Sequence, residues 1–430
     1  MANKILNFAD RLINRFILDG KLFKNPLFNI PLNGLKIFGY LISRDQWVWK
    51  PHCFRGTVFT ITFVLFNISQ YIDLVQLWGN LDEMMQNAST TLLFTTTVIR
   101  MFSFYWNRSR YLAVIREVDT QMHPILNGTH KEEKKIFFSY IKYARTLTIA
   151  FISIAVITAN GMNIYSFIQS FFYDPDSGLY PPTILRSWFP TNDIWGHFYH
   201  IYAVQFYIMW LGIIIVSSWH TFVLSLMVYC IAMLQILNYR FEHFDDYVME
   251  SLPEKVQQVV WNTRKFRIVD NVAEYDVKAV EIFEEFMEEH RRILRYVREL
   301  SHLIGIYVFA DFIIYSALIC ALLFQTSETS DEIQKIIGIF YIVTMIVILW
   351  IHYWHANEIS VHNSELAKSM FMSNWYDQSR KFKKMFLMFS QTNTPPVKMR
   401  ASVLVITLDV FINILRASYS YFTLLNQIKG

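Results

Sequence analysis

Apolar residues in this chain gather into long runs rather than alternating with polar ones. Seven charge-poor stretches stand out: 56–72 (S1), 84–99 (S2), 146–173 (S3), 194–239 (S4), 303–325 (S5), 336–357 (S6) and 408–428 (S7). A helix needs about 20 apolar residues to cross the hydrocarbon of a bilayer, so each stretch is a predicted membrane span and the chain is predicted to be all-α. S4 holds no Asp, Glu, Lys or Arg over 46 residues. Beginning near His197, it would be about 69 Å long against a core of about 30 Å, and it is expected to project beyond the membrane. S5 is interrupted by Asp311, while S7 carries Asp409 near its start and Arg416 in its middle.

Composition agrees with the pattern. Ionisable residues make up 17% of the 430 positions, against about 25% in ordinary soluble domains. The positions of the cations carry more information than the net charge of +4, which calls for no nucleic-acid partner. Residues 1–54 and the S2–S3, S4–S5 and S6–S7 connections hold 8, 7, 10 and 7 Lys and Arg, while the opposite face holds 3 in all. Basic connections stay in the cytoplasm, so seven spans place the N-terminus inside and the C-terminus outside. The predicted organisation is a cytoplasmic segment 1–54, spans S1 to S4 over 55–237, a cytoplasmic helical extension 238–302, spans S5 and S6 over 303–357, a cytoplasmic segment 358–407 and a final span 408–430.

No signal peptide opens the chain, because Lys4, Asp10, Arg11 and Arg15 interrupt its first residues. Ile5, Phe8, Leu12 and Phe16 share one helical face there. That face suits either an interfacial helix or packing on the bundle. Cys53, Cys230 and Cys320 are too few and too scattered for a disulfide framework. Among the glycosylation sequons, Asn87-Ala88-Ser89 falls on the predicted outer side, in the S1–S2 loop; those at Asn107 and Asn127 fall inside.

Over 274–300, Val280, Phe283, Met287, Leu294 and Val297 recur at helical spacing among charges. They predict an amphipathic helix leading into S5, either a solvated extension of the span or a seam packed on the S4 extension and on neighbouring subunits. The pairs His197/His200 and His352/His355 have i, i+3 spacing but no third ligand at a recognised spacing. Trp350, Tyr353 and Trp354 read instead as an interfacial belt. No nucleophile elbow, phosphate loop or paired carboxylates appear, so no catalytic residue, metal site or cofactor is expected. Arg100 and Asp311 lie toward the inner ends of their spans, where pairing or snorkelling suffices, whereas Arg416 sits near mid-membrane and should face protein or water.

The outer halves of the spans carry a second cluster. Thr158, Gly161 and Tyr165 of S3, and Tyr199, Tyr202 and Phe206 of S4, recur at spacings of three and four. With Phe94 of S2 and Phe340, Tyr341 and Thr344 of S6, they compose either an apolar small-molecule pocket with a few hydroxyls or ordinary aromatic packing. Such a pocket suits a small, volatile, mostly hydrophobic molecule with one weak hydrogen-bonding group.

The C-terminal quarter narrows the choice. Trp375-Tyr376, Arg380-Lys381, Met388, Gln391 and Pro395-Pro396 lead into Phe411-Ile412-Asn413-Ile414-Leu415-Arg416-Ala417-Ser418-Tyr419-Ser420-Tyr421-Phe422, which resembles the signature of insect odorant receptors. That resemblance implies a ligand-binding, tuning subunit of an odorant-gated non-selective cation channel in the plasma membrane of sensory dendrites. It would assemble with co-receptor subunits into a heterotetramer and pass monovalent and divalent cations. It also implies a binding cavity between S2, S3, S4 and S6, an anchor made by the cytoplasmic parts of S4 to S7, and a pore lined by S7, with Leu424 and Ile428 as an apolar gate beside Gln427. The alternatives are a gustatory receptor of the same superfamily, from whose Thr-Tyr ending Ser420-Tyr421 departs, and a multi-pass transporter, for which no internal repeat is visible.

Overall fold

The computed structural model describes residues 25–40, 51–175, 180–191, 193–265, 273–392, 397–401 and 404–429. The helical face of Ile5, Phe8, Leu12 and Phe16 lies outside them. In chain order the helices are α1 (Asn29–Ile37), α2 (Pro51–Gln76), α3 (Leu81–Trp106), α4 (Arg108–Asn127), α5 (Lys131–Ser170), α6 (Phe198–Glu242), α7 (Phe244–Glu250), α8 (Glu254–Lys265), α9 (Ala273–Glu328), α10 (Glu332–Phe371), α11 (Arg380–Thr392) and α12 (Leu408–Lys429). A 3₁₀ turn, Trp375–Asp377, and a two-stranded hairpin, β1 (Arg400–Ala401) with β2 (Leu404–Val405), complete the described elements.

Seven of these helices are the spans. α2, α5, α6, α9 and α10 correspond to S1, S3, S4, S5 and S6, and each is long and apolar enough to cross a membrane on those criteria alone. α3 and α12 correspond to S2 and S7. The helices outrun the hydropathy-based limits: α5 starts 15 residues before the predicted S3, because charged residues keep the backbone helical after the apolar stretch has ended. α9 runs unbroken for 56 residues, joining the charged 274–300 stretch to the span.

α6 is the central helix, with 83% of its most apolar window buried, against 22% for α5. It packs on α5, α10 and α1, while α9 packs on α3 and α12. Close approach of α1 depends on Gly34, where a Cβ would stand 2.1 Å from Ser218 Oγ. The outward faces of α2 and α5 expose Ile61, Leu65, Ile68, Ile157 and Ile164, apolar surface that lipid rather than protein would cover.

Two groups of polar contacts fix the bundle. Across α3 and α9, Arg100 Nη2 donates to both Asp311 carboxylate oxygens at 2.8 Å and to Tyr315 Oη at 3.3 Å, and Nη1 donates to Thr96 at 2.9 Å. Of pairing and snorkelling, the structure has pairing: Arg100 is 1% exposed. At the end of the bundle carrying α7, α8 and α11, the basic end, Arg240 grips Glu133 at 2.8 Å through Nε and Nη2 and also pairs with Glu289, while Tyr247 donates to Glu133. Around this knot Phe241, Phe244, Phe283, Phe286, Phe382 and Phe389 interlock. The buried seam of α9 therefore packs within its own chain, on α6, α7 and α11.

Asn87 departs from its predicted loop position. It lies inside α3 and is fully buried, donating to Asp73 Oδ2 at 2.7 Å and to Gln70 O at 3.2 Å, and its Oδ1 accepts from Thr91. The turn between α2 and α3 is confined to 77–80, and a side chain with its amide committed in the core is not a surface acceptor for sugar. The sequon is a three-residue pattern, and tertiary burial overrides it.

Candidate functional site

Small residues leave a gap in the half of the bundle away from the basic end. Ala155 and Ala159 on α5 and Gly212 on α6 surround a cavity of about 110 Å³, bounded also by α2, α3, α9 and α10. A Cβ on Gly212 would meet Phe63 at 3.2 Å, so its absence sets the width there. Phe63 and Phe94 stack at 4.7 Å to form one wall. Met209, Ile213, Met345 and Ile348 supply most of the rest.

The polar atoms at this surface are few and mostly committed. Thr158 donates to Ile154 O at 2.9 Å, Thr344 to Phe340 O at 2.8 Å and Thr97 to Leu93 O at 3.0 Å. Each keeps acceptor capacity only. Ser217 differs: it is 3% exposed, lines the cavity, and its Oγ has no hydrogen-bond partner among the described residues. An unsatisfied buried hydroxyl costs about 1–3 kcal/mol, a cost that a ligand acceptor would relieve. Tyr315 ties the floor to the Arg100–Asp311 pair, whose charges cancel, so the cavity offers neutral hydrogen bonding.

A lid closes the end opposite the basic one. Leu185, from the segment joining α5 to α6, reaches the cavity, and its N–H donates to Gln205 Oε1 at 3.1 Å. Arg186 binds Glu83 at 2.6 Å, lies 3.4 Å from Asp73 and stacks 4.3 Å over Tyr180. Beneath the lid lies a vestibule of about 570 Å³, which shares Thr90, Met162 and Tyr341 with the inner cavity. Tyr341 thus stands between the two spaces.

The residues singled out from sequence separate into groups. Phe94, Thr158, Tyr341 and Thr344 line the cavity. Tyr165 lines the vestibule, its hydroxyl donating to Asp331 Oδ2 at 2.9 Å. Tyr202 belongs to the α5–α6 seam, donating to Asn163 O at 3.1 Å. Gly161 borders open space, and Tyr199, Phe206 and Phe340 face outward. Sequence reasoning missed Phe63, Leu185, Gly212, Ser217 and Tyr315; Ser217 and Ser218 interrupt an apolar run, which was the available signal.

The two histidines of the second pair face different partners: His352 Nε2 is 3.3 Å from His220 Nδ1, and His355 Nε2 is 3.1 Å from Tyr143 Oη. Among the described residues no three His, Cys, Asp or Glu side chains gather as metal ligands. On α12, Phe411, Ile414 and Ser418 are buried, while Asn413, Arg416, Ser420, Leu424 and Gln427 form an exposed face. Ile428 belongs to the same helix, with its side chain outside the described residues.

A family model described as 7tm Odorant receptor matches residues 80–419. Odorant receptor 56a of Drosophila melanogaster is 29% identical over 425 residues, covering 96% of this chain and 98% of the relative. Odorant receptor 10 of Aedes albopictus is 23% identical, covering 90% and 97%. The solved insect olfactory receptor OR5 from Machilis hrabei in complex with eugenol superimposes with a TM-score of 0.75 at 13% identity, over 94% of this chain and 97% of that one.

Proposed function

We propose, from the premise that this chain belongs to the 7tm odorant receptor family, that it is the ligand-binding subunit of an odorant-gated, non-selective cation channel completed by a co-receptor. The single observation that carries the ligand assignment is the cavity with Ser217 Oγ unpartnered at its wall. Its volume of about 110 Å³ is near the ~150 Å³ of an apolar cavity that takes up benzene. A compact volatile molecule with one hydrogen-bond acceptor fits it. Larger odorants need Tyr341 or Leu185 to give way, and the vestibule is the route by which they enter.

The 32 Lys and Arg of one face against 3 of the other favour the basic end in the cytoplasm and the end of α12 outside, at the plasma membrane. The exposed α12 face, polar at Asn413, Arg416, Ser420 and Gln427, then meets water and neighbouring subunits along a shared pore. Leu424 and Ile428 are its apolar constriction, which blocks ions by excluding water. The tuning role rests on the sequence ending and on the cavity.

Electrical recording tests the reading. Cells expressing this chain with a co-receptor are expected to pass cation current when a panel of small volatiles, eugenol included, is applied, and cells expressing either subunit alone are not. Uptake of a panel member without current would favour a transporter and overturn the proposal.

A further inference from the structure

Away from the odorant cavity, the basic end of the bundle holds a cleft of about 750 Å³ where α4, α9 and the strand β1 converge. Arg110, Arg298, His302, Lys398 and Arg400 line it, and among the described residues no Asp or Glu does. Those four Lys and Arg side chains have no ion pair or side-chain hydrogen bond among the described residues, in contrast to their neighbours on α9. Arg291 and Arg295 both pair with Glu288, at 3.4 and 3.0 Å, and Arg292 donates to Gln121 at 2.8 Å. Four like charges drawn from separate elements around one cleft repel one another unless an anion sits among them.

The cleft lies where apolar surface begins. Ile306, 71% exposed, belongs to its wall, and Phe309 and Ile313 continue the exposed stripe along α9 at spacings of three and four. Trp106, 89% exposed, precedes the cleft residue Asn107, and exposed tryptophan marks the headgroup level of a membrane. A cluster of cations leading into a lipid-facing apolar stripe has the shape of an amphiphile: anionic head in the cleft, acyl chain along α9.

We propose that this cleft binds the phosphorylated headgroup of an anionic phospholipid of the cytoplasmic leaflet. The location rests on the orientation argued above; the chemistry of the cleft does not. Basic pockets at the cytoplasmic ends of spans recognise such headgroups, each cation adding a comparable increment of binding. Because β1 leads through β2 into α12, an occupied cleft would brace the base of the final span.

The test uses the purified full-length chain in neutral detergent and fluorescence-detected binding of dioctanoyl phosphatidylinositol 4,5-bisphosphate. Saturable binding is expected, with dioctanoyl phosphatidylcholine failing to compete and soluble inositol trisphosphate competing at least tenfold more weakly, since it lacks the chains. The double variant Arg298→Glu with Lys398→Glu is expected to weaken binding by more than about tenfold, while Arg295→Glu on the neighbouring turn changes it little. A thermal melt of each variant separates a lost site from a lost fold, and Arg298→Gln with Lys398→Gln serves if the charge reversal unfolds the chain. Equal competition by phosphatidylcholine, or unchanged affinity in a folded double variant, overturns the proposal. Inositol trisphosphate binding as tightly as the lipid overturns the lipid assignment in favour of a soluble phosphate. None of these readouts uses odorants or current, so failure here is distinct from failure of the channel reading.

Discussion

α6 passes through two kinds of packing. From Ile201 to Val216 it alternates buried with exposed positions and skirts the cavity; from Ser217 to Leu234 every residue is buried. The first half is held by a lid, a few hydroxyls and small side chains facing a gap. The second is locked by interleaved phenylalanines and the Arg240–Glu133–Glu289 knot. The difference teaches where adaptability resides: a void surrounded by small residues can accept a guest at little cost, whereas a region packed to native density changes only as a unit. Under the proposed function, recognition belongs to the loose half and its border at Ser217, and mechanical continuity between spans to the tight one.

The largest expected effect comes from opening the tight half. Arg240→Met leaves Glu133 and Glu289 without their shared cation in a partly buried site, a loss of about 3–5 kcal/mol. Thermal unfolding in detergent should show a large drop, while odorant half-maximal concentrations in the surviving channels stay unchanged. Filling the loose half is expected to do the reverse. Ala159→Phe places a ring in a cavity of about 110 Å³, so responses to most of an odour panel should disappear with surface abundance retained.

A gentler change sharpens the contrast. Ser217→Ala removes a hydroxyl that bonds nothing among the described residues, so stability should hold or rise slightly. Sensitivity to odorants with an acceptor should fall about two- to tenfold, the worth of one neutral hydrogen bond, and responses to plain hydrocarbons should stay as they were. The smallest effect is a pH dependence. Burial in the tight half lowers the pKa of His290, which faces Asn363 at 2.8 Å and Phe389. A folded pKa below the unfolded value means the unfolded chain binds the extra proton first. Stability is therefore full above about pH 6.5 and falls as pH drops below it. Melting curves between pH 7.5 and 5 should flatten in His290→Gln relative to the parent.

The seven helices and the overlong S4 were legible because hydropathy and the absence of charge are local quantities. The pairing of Arg100 with Asp311 was half legible: each was visible as a costly charge in a span, but nothing local says which charges meet. The cavity was harder. On a soluble helix the apolar face is the inward one, but a span is apolar on its lipid side as well. The periodicity that groups Tyr202 with Phe206, or Phe340 with Thr344, therefore does not reveal which face looks inward. Phe206 and Phe340 proved to face outward for this reason. Asn87 failed differently, because a sequon says nothing about burial. Gly212, Ala155 and Ala159 matter by what they lack, and an absence is visible only once neighbouring helices are in place.

The central claim is that odorants occupy the space beside Ser217. Ser217→Cys changes one atom and puts a thiol at the cavity wall, where a small methanethiosulfonate reagent can report on occupancy in channels formed with a co-receptor. The account predicts that the thiol is modified in resting channels and that a saturating agonist slows modification at least tenfold, while the parent chain, whose described cysteines Cys230 and Cys320 are buried elsewhere, shows no such protection. A modification rate unaffected by agonist, in channels that still respond to it, would place the odorant somewhere else.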